Sequence, residues 1–159
     1  MNKVFNERMT ADVEGEFVVF LIGMRINSPW KIHKWLPVSM AMPKMINELY
    51  KNPDLGFITH ESWFGRTTIM VQYWKSFEHL ERYAKNKESH HLPAWASFNK
   101  NIGSNGDVGI WHETYLAKNG SYECVYNNMP RFGLAKLGGH RPASGKLNSA
   151  RDRMGGDIT

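Results

Sequence analysis

Residues 67–80 read Thr67-Thr68-Ile69-Met70-Val71-Gln72-Tyr73-Trp74-Lys75-Ser76-Phe77-Glu78-His79-Leu80. Through Trp74 the run is rich in β-branched and aromatic residues, which suit a pleated, half-buried surface. Ser76 then offers a hydroxyl where a helix would begin, and Phe77, Leu80, Tyr83 and Ala84 recur at the spacing of one helical face. A strand therefore runs almost directly into an amphipathic helix. Just upstream, Gly65-Arg66 reads as a tight connection to another strand over residues 55–64. The segment predicts an antiparallel strand pair feeding a helix that packs back on it.

Working toward the N-terminus, residues 17–27 are β-rich and apolar on both alternating faces, as expected of a strand buried on both sides. Ser28-Pro29 breaks this run, and residues 30–36 read as a connection. Pro37 can occupy the first turn of a helix. Met40, Met42, Met45, Ile46, Leu49 and Tyr50 continue at roughly helical spacing, with Pro43 expected to kink the run and Asn52-Pro53-Asp54 to end it. Toward the C-terminus, residues 85–89 form a break, and His90-His91-Leu92-Pro93 leads into a further helix over 94–102. A loop at 103–106, a strand over 107–116, a turn at 118–121 and a shorter strand over 122–127 follow. Residues 1–15 are polar and aperiodic and read as a flexible arm. Residues 131–159 hold six glycines and few apolar residues, and read as an irregular basic tail around the domain proper at 16–130.

The resulting order, β-α-β-β-α-(α)-β-β, belongs to the α+β class. Its first six units match the split β-α-β, ferredoxin-like arrangement, an antiparallel sheet with its helices on one face. Strands that are apolar on both faces also need cover on the side away from the helices. No internal repeat offers it, so the expected supplier is a second copy of the chain in a two-fold homodimer.

Composition narrows the function classes. A chain of 159 residues can bury roughly two-thirds of its unfolded surface without disulfides. The formal charge of +5 is concentrated in Arg131, Lys136, Arg141, Lys146, Arg151 and Arg153, which leaves a nearly neutral body. No dense Lys/Arg run or basic helical stripe is present, which argues against nucleic acid. The longest apolar run is too short to span a bilayer, and Glu14 and Glu16 stand where a signal peptide would carry positive charge. Both point to a cytoplasmic protein with no membrane partner. The single cysteine, Cys124, fits a reducing compartment and reads as a buried thiol rather than a nucleophile. HExxH, paired CxxC, glycine-rich phosphate loops and GxSxG are all absent. Met40, Met42 and Met45 read as core rather than as copper ligands.

Several motifs carry a resemblance. They are Ile22-Gly23-Met24-Arg25, Trp30-Lys31, His33-Lys34-Trp35, the Val71 to Leu80 join, His91-Leu92-Pro93-Ala94-Trp95, Gly109-Ile110-Trp111-His112-Glu113-Thr114-Tyr115, and Tyr126-Asn127-Asn128-Met129-Pro130. With these, residues 16–135 resemble the dimeric α+β barrel superfamily. Within it they resemble the antibiotic-biosynthesis-monooxygenase-like proteins, and a monooxygenase-like family that takes in a small enzyme of fumagillin biosynthesis. The resemblance implies a ferredoxin-like fold, a homodimer, and a pocket between helices and sheet for a small hydrophobic or aromatic ligand. The wider superfamily includes cofactor-independent oxygenases, haem-degrading oxygenases and haem dehydratases acting on aldoximes. The resemblance therefore implies a monooxygenase-like oxidoreductase. Haem-dependent dehydratase-type chemistry and a non-catalytic ligand-binding or sensor dimer stand as alternatives.

Candidate site residues follow from polar groups in apolar segments. In haem-degrading relatives a histidine after the second helix ligates the iron. His91 is the nearer match and His90 stands behind it, although either could simply cap the helix. Arg25 ends an apolar strand and can hold a carboxylate, a haem propionate or an anionic intermediate, or else form an ion pair with Glu61 or Glu113. His112 and Glu113 fall on opposite faces of one strand. Either can serve as general acid or base if it lines the cavity, a buried Glu113 having a raised pKa, or can make an interface hydrogen bond. Tyr73 and Trp74 also alternate, so one can line the pocket, as a catalytic Tyr73 or a cofactor-contacting Trp74, while the other packs at the interface.

Overall fold

A computed structural model describes residues 3–155. In chain order it contains β1 (Phe5–Asp12), β2 (Glu16–Ile26), α1 (Ile32–Lys51), β3 (Phe57–Trp63), β4 (Ile69–Trp74) and α2 (Phe77–Lys85). There follow α3 (His91–Asn101), β5 (Val108–Lys118), β6 (Tyr126–Met129), β7 (Gly139–Pro142) and α4 (Ala150–Arg153). The architecture is α+β with antiparallel sheets. The chain divides into two compact units, Val18–Tyr115 and the flanking Met1–Phe17 with Leu116–Thr159.

Within Val18–Tyr115 the sheet order is β3-β4-β2-β5, the ferredoxin-like arrangement. β2 pairs with β4 from Val18↔Trp74 to Ile22↔Met70, and β3 with β4 from Phe57↔Trp74 to Trp63↔Ile69. The β4–α2 join folds as expected, with Ser76 as the N-cap and its hydroxyl accepting the His79 N–H. One face of the sheet meets the helices through Val18, Ile46, Leu49, Phe57, Trp74, Leu80 and Tyr83. Val18, Leu49 and Trp74 are each only 1% exposed, so this cluster is the apolar burial that drives the unit together. A second cluster, Met24, Ile102 and Val108, lies toward the other end.

Helix α1 begins earlier than expected, at Ile32 rather than Pro37, and runs through both Pro37 and Pro43. Each interior proline removes a backbone hydrogen bond and costs on the order of 3 kcal/mol. Burial of Met45, Ile46 and Leu49 in the following turns offsets that cost. The turn after α1 ends on Gly56, at φ 83°, where a Cβ would lie 2.3 Å from the His79 ring. Only glycine fits both that backbone and that contact.

The flanking unit corrects two expectations. Residues 5–12 form a strand rather than an arm, and much of the expected tail is paired to it. β1 is the central strand of a second antiparallel sheet ordered β6-β1-β7. Met9 stands opposite Tyr126 on one side and Pro142 on the other. The Thr10 hydroxyl donates to the Cys124 carbonyl (2.8 Å), and the Tyr122 hydroxyl donates to the Val13 carbonyl (2.9 Å). Two of the positive charges are anchored too, Arg141 on Asp12 at 2.9 Å and Arg153 on Glu123 at 2.8 Å. Residues 122–125, expected in a strand, are irregular, and the last strand shifts to β6. The half-buried Cys124 accepts the Ala11 N–H at 3.3 Å, a structural placement for the thiol. Gly156 and Asp157 of the expected tail lie outside the described residues.

Candidate functional site

The helices and sheet of Val18–Tyr115 enclose a cavity of about 1400 Å³. Strand alternation decides which side chains face it. From β2 come Phe20, Ile22, Met24 and Ile26, from β4 Met70, and from β5 Ile110, His112 and Thr114. The bulge between Phe57 and Thr59 resets the alternation in β3, so Phe57, His60 and Ser62 all turn toward the helices. The opposite wall comes from Trp35, Val38, Met42 and Ile46 of α1, Leu80 and Ala84 of α2, and His91, Trp95 and Phe98 of α3. The lining is mainly apolar with a few polar groups, the usual make-up of a small-molecule site.

Among the described residues four histidines line the cavity, His33, His60, His91 and His112, and the last three have distinct supports. His91, at the start of α3, places Nδ1 3.1 Å from the Ala84 carbonyl. A carbonyl can only accept, so in the neutral ring Nδ1 carries the proton and Nε2 the lone pair. His60 on β3 has Nδ1 3.0 Å from the Tyr50 hydroxyl, and Tyr50 also lines the cavity. His112 packs its ring against Phe20, with centroids 5.7 Å apart.

The other predicted residues lie elsewhere. His90 turns its ring to Glu48 (Nδ1 to Oε1 3.2 Å), and its backbone N–H donates to the same carboxylate at 3.1 Å. The Tyr83 hydroxyl donates to Glu48 as well, at 2.8 Å. Burial raises the Glu48 carboxyl, but the His90 backbone N–H, the Tyr83 hydroxyl and the His90 ring outweigh it, and its pKa falls below the ordinary value. The Tyr83 phenol moves up, through burial and then through Glu48. Glu48 thus ties α1 to α2 and to the residue before α3, which fixes where His91 starts. Trp74 is core, donating its Nε1–H to Gln72 Oε1 at 3.0 Å, and does not line the cavity.

Arg25 is exposed and its guanidinium donates to Thr67 Oγ1 at 2.7 Å. By alternation it shares the sheet face away from the helices with Tyr73 and Glu113. Glu113, expected to be buried, is exposed and accepts the Tyr115 hydroxyl. Of the expected set, the structure brings His91 and His112 to the cavity. It does not bring Arg25, Glu113, Tyr73, Trp74 or His90 there.

Sequence reasoning missed Tyr50, His60 and Ser62. The signal was a polar pair at alternate positions in an otherwise strand-like run, but the bulge hides which face it occupies.

The family model described as "Monooxygenase af470-like" matches residues 17–134. The chain is 29% identical over 124 residues to monooxygenase af470 of Aspergillus fumigatus, covering 72% of this chain and 44% of that protein. It therefore spans less than half the length of that relative. Among solved structures, aldoxime dehydratase OxdRE in complex with butyraldoxime superposes with a TM-score of 0.66 at 14% identity, over 85% of this chain and 43% of that one. SnoaB, a cofactor-independent oxygenase from Streptomyces nogalater, aligns with a TM-score of 0.46 at 12% identity, over 65% of this chain and 94% of that one. At its identity the aldoxime dehydratase structure speaks to the fold alone.

Proposed function

Because the chain belongs to the Monooxygenase af470-like family, we propose that it is a monooxygenase-like oxidoreductase holding a small hydrophobic or aromatic substrate in the cavity between helices and sheet. The observation that carries this reading is the 1400 Å³ apolar cavity with imidazoles on its wall. Apolar walls desolvate the substrate and strengthen every polar contact made inside. His60, its ring oriented by Tyr50, and His112, packed on Phe20, are the groups placed to take or return a proton.

Haem is the proposed cofactor, and the residues present fit it. In its neutral form His91 would offer the Nε2 lone pair, because Nδ1 is committed to the Ala84 carbonyl, and aromatic and methionine side chains line the same cavity. Oxygen activation is the chemistry a bound haem would supply there. Purified protein titrated with haem is expected to develop a Soret band that His91→Ala abolishes. The haem-loaded protein under air, supplied with a two-electron reductant such as ascorbate, should convert apolar aromatic substrates to products heavier by one oxygen atom, the second atom of dioxygen leaving as water. Absence of the band removes the haem and leaves proton removal by the cavity histidines as the route to reaction with oxygen. A ligand that binds and is always recovered unchanged overturns the enzyme in favour of a binding module.

A homodimer is the proposed assembly. On the far face of the sheet Val19, Leu21, Val71 and Trp111 are only half-buried within the single chain, apolar surface that a partner would cover. A second copy of the chain is the proposed partner for that face.

A further inference from the structure

We propose that Trp95 is a specificity-determining residue of the cavity, and that the substrate carries a flat aromatic ring system that stacks on its indole. The inference rests on the cavity being the substrate site, and it narrows that reading from apolar ligands at large to planar aromatic ones.

None of the 11 residues of α3 is buried. Its side chains Leu92, Trp95 and Phe98 nevertheless recur every third residue and line the cavity. Phe98 is half-buried and packs against the cluster of Met24, Ile102 and Val108. Trp95 lies against Phe98, with ring centroids 5.7 Å apart and planes only 16° from parallel. The core thus holds Phe98, and Phe98 sets the plane of Trp95. One side of the indole is spent on that contact, yet Trp95 is still 45% exposed and stands on the cavity wall. The stack that starts in the core therefore ends on a ring that a guest can reach. Rings elsewhere on the wall meet other partners. Phe20 packs with His112, and Tyr50 stands edge-on to Phe57 with centroids 5.2 Å apart.

A single exposed tryptophan is ordinary on a protein surface. What sets this one apart is that its direction is fixed before any ligand arrives, so little side-chain freedom is lost on binding. A flat ring laid parallel to the indole extends the Phe98–Trp95 stack and gains more than the area it buries, because offset aromatic faces attract one another. A puckered, saturated ring of the same skeleton touches a flat surface at fewer atoms and gains burial alone. The platform therefore selects for planarity and aromatic character rather than for apolarity in general.

The test compares 2-naphthol with decahydro-2-naphthol in equilibrium dialysis with the full chain. The two share a skeleton and a hydroxyl and differ as flat against puckered rings. The wild type is expected to bind the naphthol about tenfold more tightly. Trp95→Leu should remove this preference by weakening the naphthol alone, and Trp95→Phe, which keeps a flat ring, should retain part of it. Both variants should melt close to the wild type. Equal affinities in the wild type overturn the proposal. So does a preference that survives Trp95→Leu, a loss shared by both compounds, or a Trp95→Phe variant that behaves as Trp95→Leu does. A melting temperature well below that of the wild type would show that Trp95 serves the fold, and overturns it too. A preference that vanishes once haem is bound gives the platform to the porphyrin instead of the substrate. If neither compound binds, the cavity itself is not a ligand site and the functional reading above fails along with this one.

Discussion

Glu48 shows how much one side chain can organise. Its carboxylate gathers the Tyr83 hydroxyl and both the backbone N–H and the ring of His90, although none of these faces the cavity. Its folded pKa lies below the ordinary 4.5, so its stabilisation is present above that value and fades as pH falls through the lower folded one. Glu48→Gln is expected to cost about 1.5–3 kcal/mol near neutral pH, the usual worth of hydrogen bonds to a charged group. The gap from wild type should close as thermal melts are taken at pH values falling below 4.5. A gap independent of pH would mean that the charge is not what holds these partners. Resemblance to haem-degrading relatives singled out His91, which does line the cavity. It could not place His90, whose direction depends on a glutamate 42 residues away.

At the scale of the element, β3 and β1 mark where sequence periodicity carries information and where it fails. β4 and α2 were legible because each keeps one clean period and the serine between them marks the switch. In β3 the bulge changes the phase midway, so counting alternate residues from Phe57 sends His60 and Ser62 to the wrong face. In β1, Phe5-Asn6-Glu7-Arg8-Met9-Thr10-Ala11-Asp12 is polar enough to pass for an arm, because only Met9 and Thr10 in its middle are buried. Its stability comes from partners on both edges. Deleting residues 1–12 is therefore expected to release β6 and β7, whose backbone amides should lose most of their hydrogen-exchange protection by mass spectrometry. Protection that survives the deletion would restore the reading of this segment as an arm.

For the whole molecule, the order β3-β4-β2-β5 followed from the sequence because local strand and helix signals appear in the right succession and connection rules leave few alternatives. The second sheet did not, since it joins segments from opposite ends of the chain with no local pattern to announce the pairing. Among the described residues, no helix is long and apolar enough to cross a membrane. The proposed homodimer makes a direct prediction. Light scattering after size exclusion should give twice the chain mass, and Leu21→Asp, a charge placed on the partly open far sheet face, should shift it to the monomer. A wild-type monomer at micromolar concentration would refute the dimer.

The central position of β1 also bears on how the protein is made. A ribosome delivers Phe5–Asp12 first, yet Tyr126–Met129 and Gly139–Pro142, which flank it, emerge more than a hundred residues later. Throughout that interval both edges of an early strand remain unpaired, an invitation to neighbouring nascent chains. The polar residues that disguise this strand in the sequence are also what keep it soluble while it waits.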